Sequence, residues 1–236
     1  MAYQSCFQRF ELKYILTRPQ KEALLKAMEP YMRLDQYGRV TIRNIYYDTP
    51  NYRLIRASIE RPVYKEKLRI RSYRQLGPGE EAFVELKKKF KKVVYKRRLS
   101  MPFHEALDWL SGKNDLQPPG QIGEEIHYFR DFYGELEPTV FLSYEREAFY
   151  SLDGSEFRVT FDENILARQT DLSLCSQVRG SPILPKDLTL VELKAPGAIP
   201  LWLTEFLTQN KIYKTSFSKY GTAYQTLLFK GGKLCV

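Results

Sequence analysis

The stretch KLRIRSYRQLGPGEEAFVELKKKFKKVVYKRRLS, residues 67–100, decides the fold. It places cationic residues at every second position in three runs: Lys67, Arg69 and Arg71, then Lys87 and Lys89, then Lys96 and Arg98. Leu68, Ile70, Leu86 and Leu99 take alternate positions. Side chains two apart in a strand share a face, so each run has one charged face and one apolar face. Gly77-Pro78-Gly79 breaks the first junction and a turn around Lys91-Lys92 the second. The result is a predicted meander of strands over 63–73, 81–90 and 92–101. Two architectures satisfy this alternation. An antiparallel sheet can show water its polar side. A barrel turned inside out would instead gather the cations around an anionic guest.

Outward from this meander, residues 5–16 read as a strand with Arg9, Glu11 and Lys13 on one face. Thr17 and Gln20 form a capping box for a helix that stops near Pro30. A strand over 40–47 and a short helix through Arg53 and Arg56 follow. Beyond the meander, 102–110 and 122–133 are helical or loop segments separated by Pro118-Pro119-Gly120. Strands resume over 139–150, 157–161 and 188–194, with a loop over 169–187, and 201–209 and 219–228 are helical. The pattern predicts an α+β, mainly β fold of about eight antiparallel strands closed into a barrel, with flanking helices. Such a barrel admits side chains and one slender ligand. No linker divides residues 1–236, so one domain is expected.

The chain has 236 residues, of which 43% are apolar, enough for a substantial core. Its 37 Lys and Arg against 28 Asp and Glu leave a net charge of +9, which predicts an acidic partner. Cys6, Cys175 and Cys235 are scattered and outside any CxxC arrangement, which argues against a disulfide framework or zinc site. His104 and His127 lack ligand spacing and fit helix packing or surface positions. Charges begin within the first dozen residues and no apolar run reaches bilayer length, so a soluble, cytoplasmic chain without a membrane segment is expected.

Taken together, the charged faces are Arg9, Glu11 and Lys13; Lys67, Arg69 and Arg71; Glu85 and Lys87; Lys96 and Arg98; Arg146; Arg158, Thr160 and Asp162; Glu192 and Lys194. That many buried cations need anionic company, since each ion removed from water costs several kcal/mol. Phosphate suits them, because Arg binds its oxygens two at a time. Val84-Glu85-Leu86-Lys87 recurs as Val191-Glu192-Leu193-Lys194, which suggests two walls of one site. Glu11 and Glu85 read equally well as internal salt-bridge partners. Glu192 is the expected ligand of Mg²⁺ or Mn²⁺, ions that complete their shells with water and substrate phosphates.

Eight segments in order carry a family resemblance: Phe-Glu-Leu-Lys-Tyr (10–14), Leu-Arg-Ile-Arg-Ser-Tyr (68–73), Phe-Val-Glu-Leu-Lys (83–87), Val-Tyr-Lys-Arg-Arg (94–98), Ser-Tyr-Glu-Arg-Glu-Ala-Phe (143–149), Arg-Val-Thr-Phe-Asp (158–162), Val-Glu-Leu-Lys (191–194) and Ser-Phe-Ser-Lys-Tyr (216–220). Over residues 7 to 226 the chain resembles the VTC-type polyphosphate polymerase domain of the triphosphate tunnel metalloenzymes. The resemblance implies a tunnel-shaped barrel, transfer of the terminal phosphate of ATP to polyphosphate, and Mn²⁺ or Mg²⁺ as cofactor. Carried over by position, Lys13, Arg69, Arg71, Lys194 and Lys219 form the expected catalytic set. Lys87, Lys96, Arg146 and Arg158 join them as phosphate ligands, while Lys67 and Arg98 rest on strand parity. Glu192 is the implied metal ligand and Glu11 a second candidate. Two positions depart from the family pattern: Arg9 stands where a Glu often opens the first strand, and Ser216 where some relatives carry Lys. A triphosphatase in the same lumen and a non-catalytic polyphosphate- or RNA-binding module are the alternatives. Nucleic acid is not expected, because the cations alternate along strands and no RNP-like motif is present.

Overall fold

The structure, a computed structural model, describes residues 6–7, 10–77, 79–91, 93–114, 116, 118 and 120–229. Arg9, Pro78, Lys92, Pro119, Cys235 and the Cys6 side chain lie outside the described residues. Eleven strands appear: β1 Cys6–Phe7, β2 Phe10–Thr17, β3 Met32–Asp48, β4 Tyr64–Ser72, β5 Glu81–Phe90, β6 Val93–Pro102, β7 Glu137–Ser151, β8 Arg158–Arg168, β9 Ser181–Pro182, β10 Leu188–Ala195 and β11 Lys214–Thr215. Six helices accompany them: α1 Arg18–Met28, α2 Arg53–Ile59, α3 Phe103–Leu110, α4 Gly120–Tyr133, α5 Leu201–Gln209 and α6 Lys219–Ala223. A π-helical turn, Tyr224–Leu228, continues α6.

The sequence pattern anticipates the long strands and undercounts the rest. Strands of two residues (β1, β9, β11) and helices as short as α6 are too brief to show a period. The strand expected over 40–47 starts eight residues earlier, at Met32. Gly38, with φ +60°, sits inside the register shift between Leu34 and Arg39 that breaks its polar pattern. α1 starts as predicted, with the Gln20 side chain accepting the Thr17 backbone N–H at 3.0 Å.

All strands belong to one antiparallel sheet, in the order β1-β6-β5-β4-β3-β7-β8-β10-β2-β11, with β9 on β8. Only residues 8 and 9 separate β1, on the β6 edge, from β2, on β10. The Lys87 Nζ of β5 lies 3.1 Å from a Glu11 oxygen of β2, although many strands separate them in the order. The sheet is therefore rolled until its two ends face each other. Between the described residues its backbone ladder runs open, so the expected closed barrel is met as a rolled sheet.

Residue parity sorts the three apolar clusters. Leu68, Ile70, Val84, Leu86 and Phe141 pack on the convex side with Trp109 of α3 and Ile126 and Phe129 of α4. Leu16, Val159, Phe161, Val191 and Leu193 do likewise with Leu24 of α1 and Leu203 of α5. The third cluster holds Ile42, Tyr46, Leu142 and Leu190, which share parity with the charged positions, together with Tyr220 and Tyr224. Tyr220 of α6 stacks on Tyr46 at 4.6 Å. The concave face thus carries cations in one part and an apolar plug in another.

Candidate functional site

Strand register builds the site in rows. Across β4, β5 and β6, Arg69, Glu85 and Arg98 stand side by side, and Lys67, Lys87 and Lys96 form the next row. Glu85 is buried, at 1% exposure, and one carboxylate serves four cations. Arg69 donates from Nη2 at 2.6 Å and from Nε at 2.9 Å. Arg98 Nε donates at 2.7 Å, Lys96 Nζ lies at 2.8 Å, and Arg71 Nη1 at 3.6 Å. Burial would raise the Glu85 carboxyl, but Arg71, Arg69, Lys96 and Arg98 together hold it well below its ordinary range. Neutral acceptors fix the arginines. Arg69 donates to the Tyr46 hydroxyl at 2.9 Å, Arg98 to the Tyr73 hydroxyl at 2.6 Å, and Arg71 to Asn44 Oδ1 at 2.8 Å and the Tyr144 hydroxyl at 3.0 Å.

The opposite wall repeats the arrangement with a difference. Glu192 of β10 is in register with Lys13 on one side and Thr160 on the other. Lys219, Arg146, Lys13 and Lys194 approach its oxygens at 3.1, 3.3, 3.4 and 3.6 Å. A second carboxylate, Asp162, is buried beside it and accepts from Arg146 Nε and Nη2, each at 2.6 Å. Lys219 reaches Asp162 as well, and lies 4.6 Å from the Tyr144 ring centre. Burial opposes its charge, but Asp162 and Glu192 raise the Lys219 ammonium above its ordinary value. Lys13 also donates to the Phe217 carbonyl at 2.8 Å, tying β2 to the segment before α6.

Between the walls, Lys67 donates to the Ser218 hydroxyl at 3.0 Å and Lys87 pairs with Glu11. Ten cations (Lys13, Lys67, Arg69, Arg71, Lys87, Lys96, Arg98, Arg146, Lys194 and Lys219) thus share four carboxylates, Glu11, Glu85, Asp162 and Glu192. The excess is felt electrostatically. Burial, with Lys13 and Lys87 close by, brings the Lys67 ammonium down to about 7. Burial and like charges outweigh carboxylate attraction at Lys96 and Lys194, both lowered to about 8. Glu11 feels the opposite: burial would raise it, but Lys87 and Lys194 hold it at about 2. Such a concavity favours an added anion.

The structure brings together every sequence-predicted residue except one. Arg158 stands in register with Lys194 but is exposed and has no ion pair among the described residues. His104 and His127 lie on α3 and α4, away from this face. Sequence reasoning passed over Asn44, Tyr46, Tyr73 and Tyr144, which aim the arginines. Asn44 carried a signal, as an amide on the same strand face as Ile42 and Tyr46 in the segment 40–47. Asp162 was visible on a charged face, but nothing in its segment tied it to Arg146 and Lys219.

A family model described as the VTC domain matches residues 8–228. A "putative adenylate cyclase" from Bacillus halodurans superposes with a TM-score of 0.57 at 15% identity, covering 91% of this chain and 96% of that one. A "putative adenylyl cyclase" from Hippeastrum, reported to have a dominant triphosphatase activity, gives a TM-score of 0.53 at 15% identity, covering 92% and 94%. At this identity the likeness is one of fold. No curated protein matches the chain.

Proposed function

The chain belongs to the VTC domain family, and from that premise we propose that it is a polyphosphate polymerase. It transfers the terminal phosphate of ATP to a polyphosphate chain inside a tunnel completed by the rolled sheet, with residues 1–236 acting as one cytoplasmic unit. The observation that supports this reading is the convergence of ten cations from facing walls, bridged by the 3.1 Å pair of Lys87 and Glu11. Phosphoryl transfer needs little covalent chemistry from the protein and depends on positioning and charge stabilisation. Arg69, Arg71 and Arg98, permanently charged and held by Glu85, clamp equatorial phosphate oxygens. Lys13, Lys194 and Lys219, with Arg146, neutralise the opposite side of the transferring group. Lys67, Lys87 and Lys96 form a rail along which successive phosphates lie, and Arg158 meets the anion at the exposed rim.

Among the described residues, no three His, Cys, Asp or Glu side chains cluster as a metal site. The carboxylates fit a hard divalent ion that draws most of its ligands from phosphate and water, as Mn²⁺ and Mg²⁺ do. Glu192 would hold it, with Glu11 as second candidate. Such an ion supplies further charge neutralisation at the phosphates.

Purified chain given ATP and Mn²⁺ should accumulate long phosphate polymers with matching ADP. ADP release without polymer would overturn the reading. Hydrolysis of triphosphate in the same tunnel is the second reading, favoured by the activity reported for the Hippeastrum protein. It predicts phosphate release from inorganic triphosphate faster than any polymer grows from ATP. A non-catalytic binding module would turn over neither substrate.

A further inference from the structure

The convex face of the sheet holds a charge that the site above does not use. Arg43 lies on β3, opposite Ser72 of β4 and Ser143 of β7. All three side chains are buried, and Arg43 Nε, Ser72 Oγ and Ser143 Oγ have no hydrogen-bond partner among the described residues. They form one row across three strands. Arg43, at 9% exposure, makes a single long side-chain hydrogen bond, from Nη1 to the Thr41 carbonyl at 3.5 Å. No carboxylate forms an ion pair with it among the described residues, and burial alone lowers its affinity for its proton. An uncompensated buried charge is expensive, and most buried cations are paired.

Arg43 lines a cavity of about 550 Å³ together with Arg179, Lys186, Thr41, Glu145 and residues of the 178–182 segment. That volume is in the range of small-molecule sites. Glu145 is the carboxylate in this lining, and Arg39 engages it at 2.5 Å from a neighbouring position. Asp171 pairs with Arg179 at 3.0 Å, which leaves Lys186 and Arg43 as cations without an ion pair among the described residues. The wall is built. Arg168 donates to the carbonyls of Thr170, Asp171, Gln177 and Arg179, folding the loop over the sheet. At Gly180 a Cβ would meet the Ala167 carbonyl oxygen at 2.5 Å, so only glycine lets the segment lie this close to β8.

We propose that this cavity is a second oxyanion site, for a phosphoryl group, centred on Arg43 and flanked by Arg179 and Lys186. It lies on the opposite face of the sheet from the ten-cation concavity and does not depend on the activity assigned to that concavity. The forked guanidinium suits two phosphoryl oxygens at once, with the exposed cations closing over the rest. The phosphoryl group is either free orthophosphate or part of a phosphate chain.

Calorimetric titration of the full chain tests this with two probes, orthophosphate and long-chain polyphosphate. Wild-type protein should show two classes of site. Arg43→Gln should weaken one class at least tenfold and leave the other, and the polymerisation of ATP, unchanged. The double variant Arg179→Ala/Lys186→Ala changes exposed residues only and should weaken the same class, which guards against misfolding of the Arg43 variant. Saturation of that class by orthophosphate identifies a free anion, and saturation by the polymer alone identifies a chain. No class in the wild type, or classes unaltered in Arg43→Gln, overturns the proposal and means that solvent alone satisfies Arg43. Either result leaves polymerase activity to be judged separately by ADP and polymer.

Discussion

Val84-Glu85-Leu86-Lys87 and Val191-Glu192-Leu193-Lys194 are the same tetrapeptide on facing walls, and they build different electrostatics. Glu85 stands alone at 1% exposure amid Arg69, Arg71, Arg98 and Lys96. Glu192 has Asp162 as a neighbour, is less deeply buried at 8%, and faces mostly lysines. One wall is mainly an arginine clamp anchored on a single carboxylate. The other shares its load between two carboxylates and meets mostly ammonium groups, each a point charge in place of a fork. The motif supplies the glutamate. The neighbouring strands decide its work.

The largest effect should therefore come from Glu85→Gln. It leaves three arginines and a lysine around a neutral amide, and removing one partner of a buried ion pair costs about 3–5 kcal/mol. Urea unfolding should show that loss, and inorganic triphosphate, as a replacement anion, should restore a larger stability increment than it gives the wild type. If Glu85→Gln unfolds no more easily than wild type, the clamp is not anchored there. Glu192→Gln should cost less stability, about 1–3 kcal/mol, because Asp162 still compensates Lys219 and Arg146. Its main effect should be functional: Mn²⁺-supported turnover of ATP should fall roughly 10–100-fold, as expected for weakened metal binding. Equal stability losses in the two variants would erase the distinction between the walls.

Acidity draws a second contrast, between lysines on both walls and the arginines. Lys67 is held near 7, and Lys96 and Lys194 near 8, all below an ordinary lysine. Below pH 7 these lysines are charged in both folded and unfolded chains, and the folded state bears their full mutual repulsion. As pH rises through 7–8 the folded lysines lose their protons first, so their contribution to stability improves. A bound phosphate raises the same pKa values, so anion affinity is complete below about pH 7 and falls as pH rises through 7–8. Melting temperatures with and without triphosphate, from pH 6 to 9, should show the anion's stabilising increment shrinking while the free protein gains from these groups. A guanidinium keeps its proton throughout this range. Arg98→Lys should therefore deepen the loss at high pH, and an unchanged profile would detach the lysines from anion binding.

How much of this was legible in the sequence follows from period and distance. A strand repeats every two residues, so the alternation of Lys67, Arg69 and Arg71 fixed which face each side chain takes. It could not fix depth: Arg71 is buried and held by Asn44 and Tyr144, while Arg158, at an equivalent parity, is exposed. Nor could it fix which rows meet. Asp162 joins Arg146 because β7 and β8 pair in that register, and joins Lys219 because α6 enters the concave side from far along the chain. Two-residue strands such as β1 and β11 leave no pattern to read. Arg43 lies inside the strand predicted over 40–47, and nothing in that segment marks its lack of a partner, which the fold of the loop held by Arg168 decides.

The smallest effect is expected where charges are dense but outside the concavity. On the convex face Arg39 and Lys21 serve Glu145, Glu147 and Glu163, with Lys21 at 2.9 Å from Glu163 and 3.1 Å from Glu147. Here carboxylates outnumber cations, Arg39 is 43% exposed, and water screens what the pairs gain. Arg39→Ala should lower stability by about 0.2–1 kcal/mol, an effect that fades with added salt, and should leave ATP turnover intact. The same truncation at Arg69, which pairs with a carboxylate at 1% exposure, should reduce turnover about 10²-fold or more. If Arg39→Ala and Arg69→Ala cost similar activity, what matters is total charge and not its placement inside the roll of the sheet. The facing walls would then be no more than two polar surfaces.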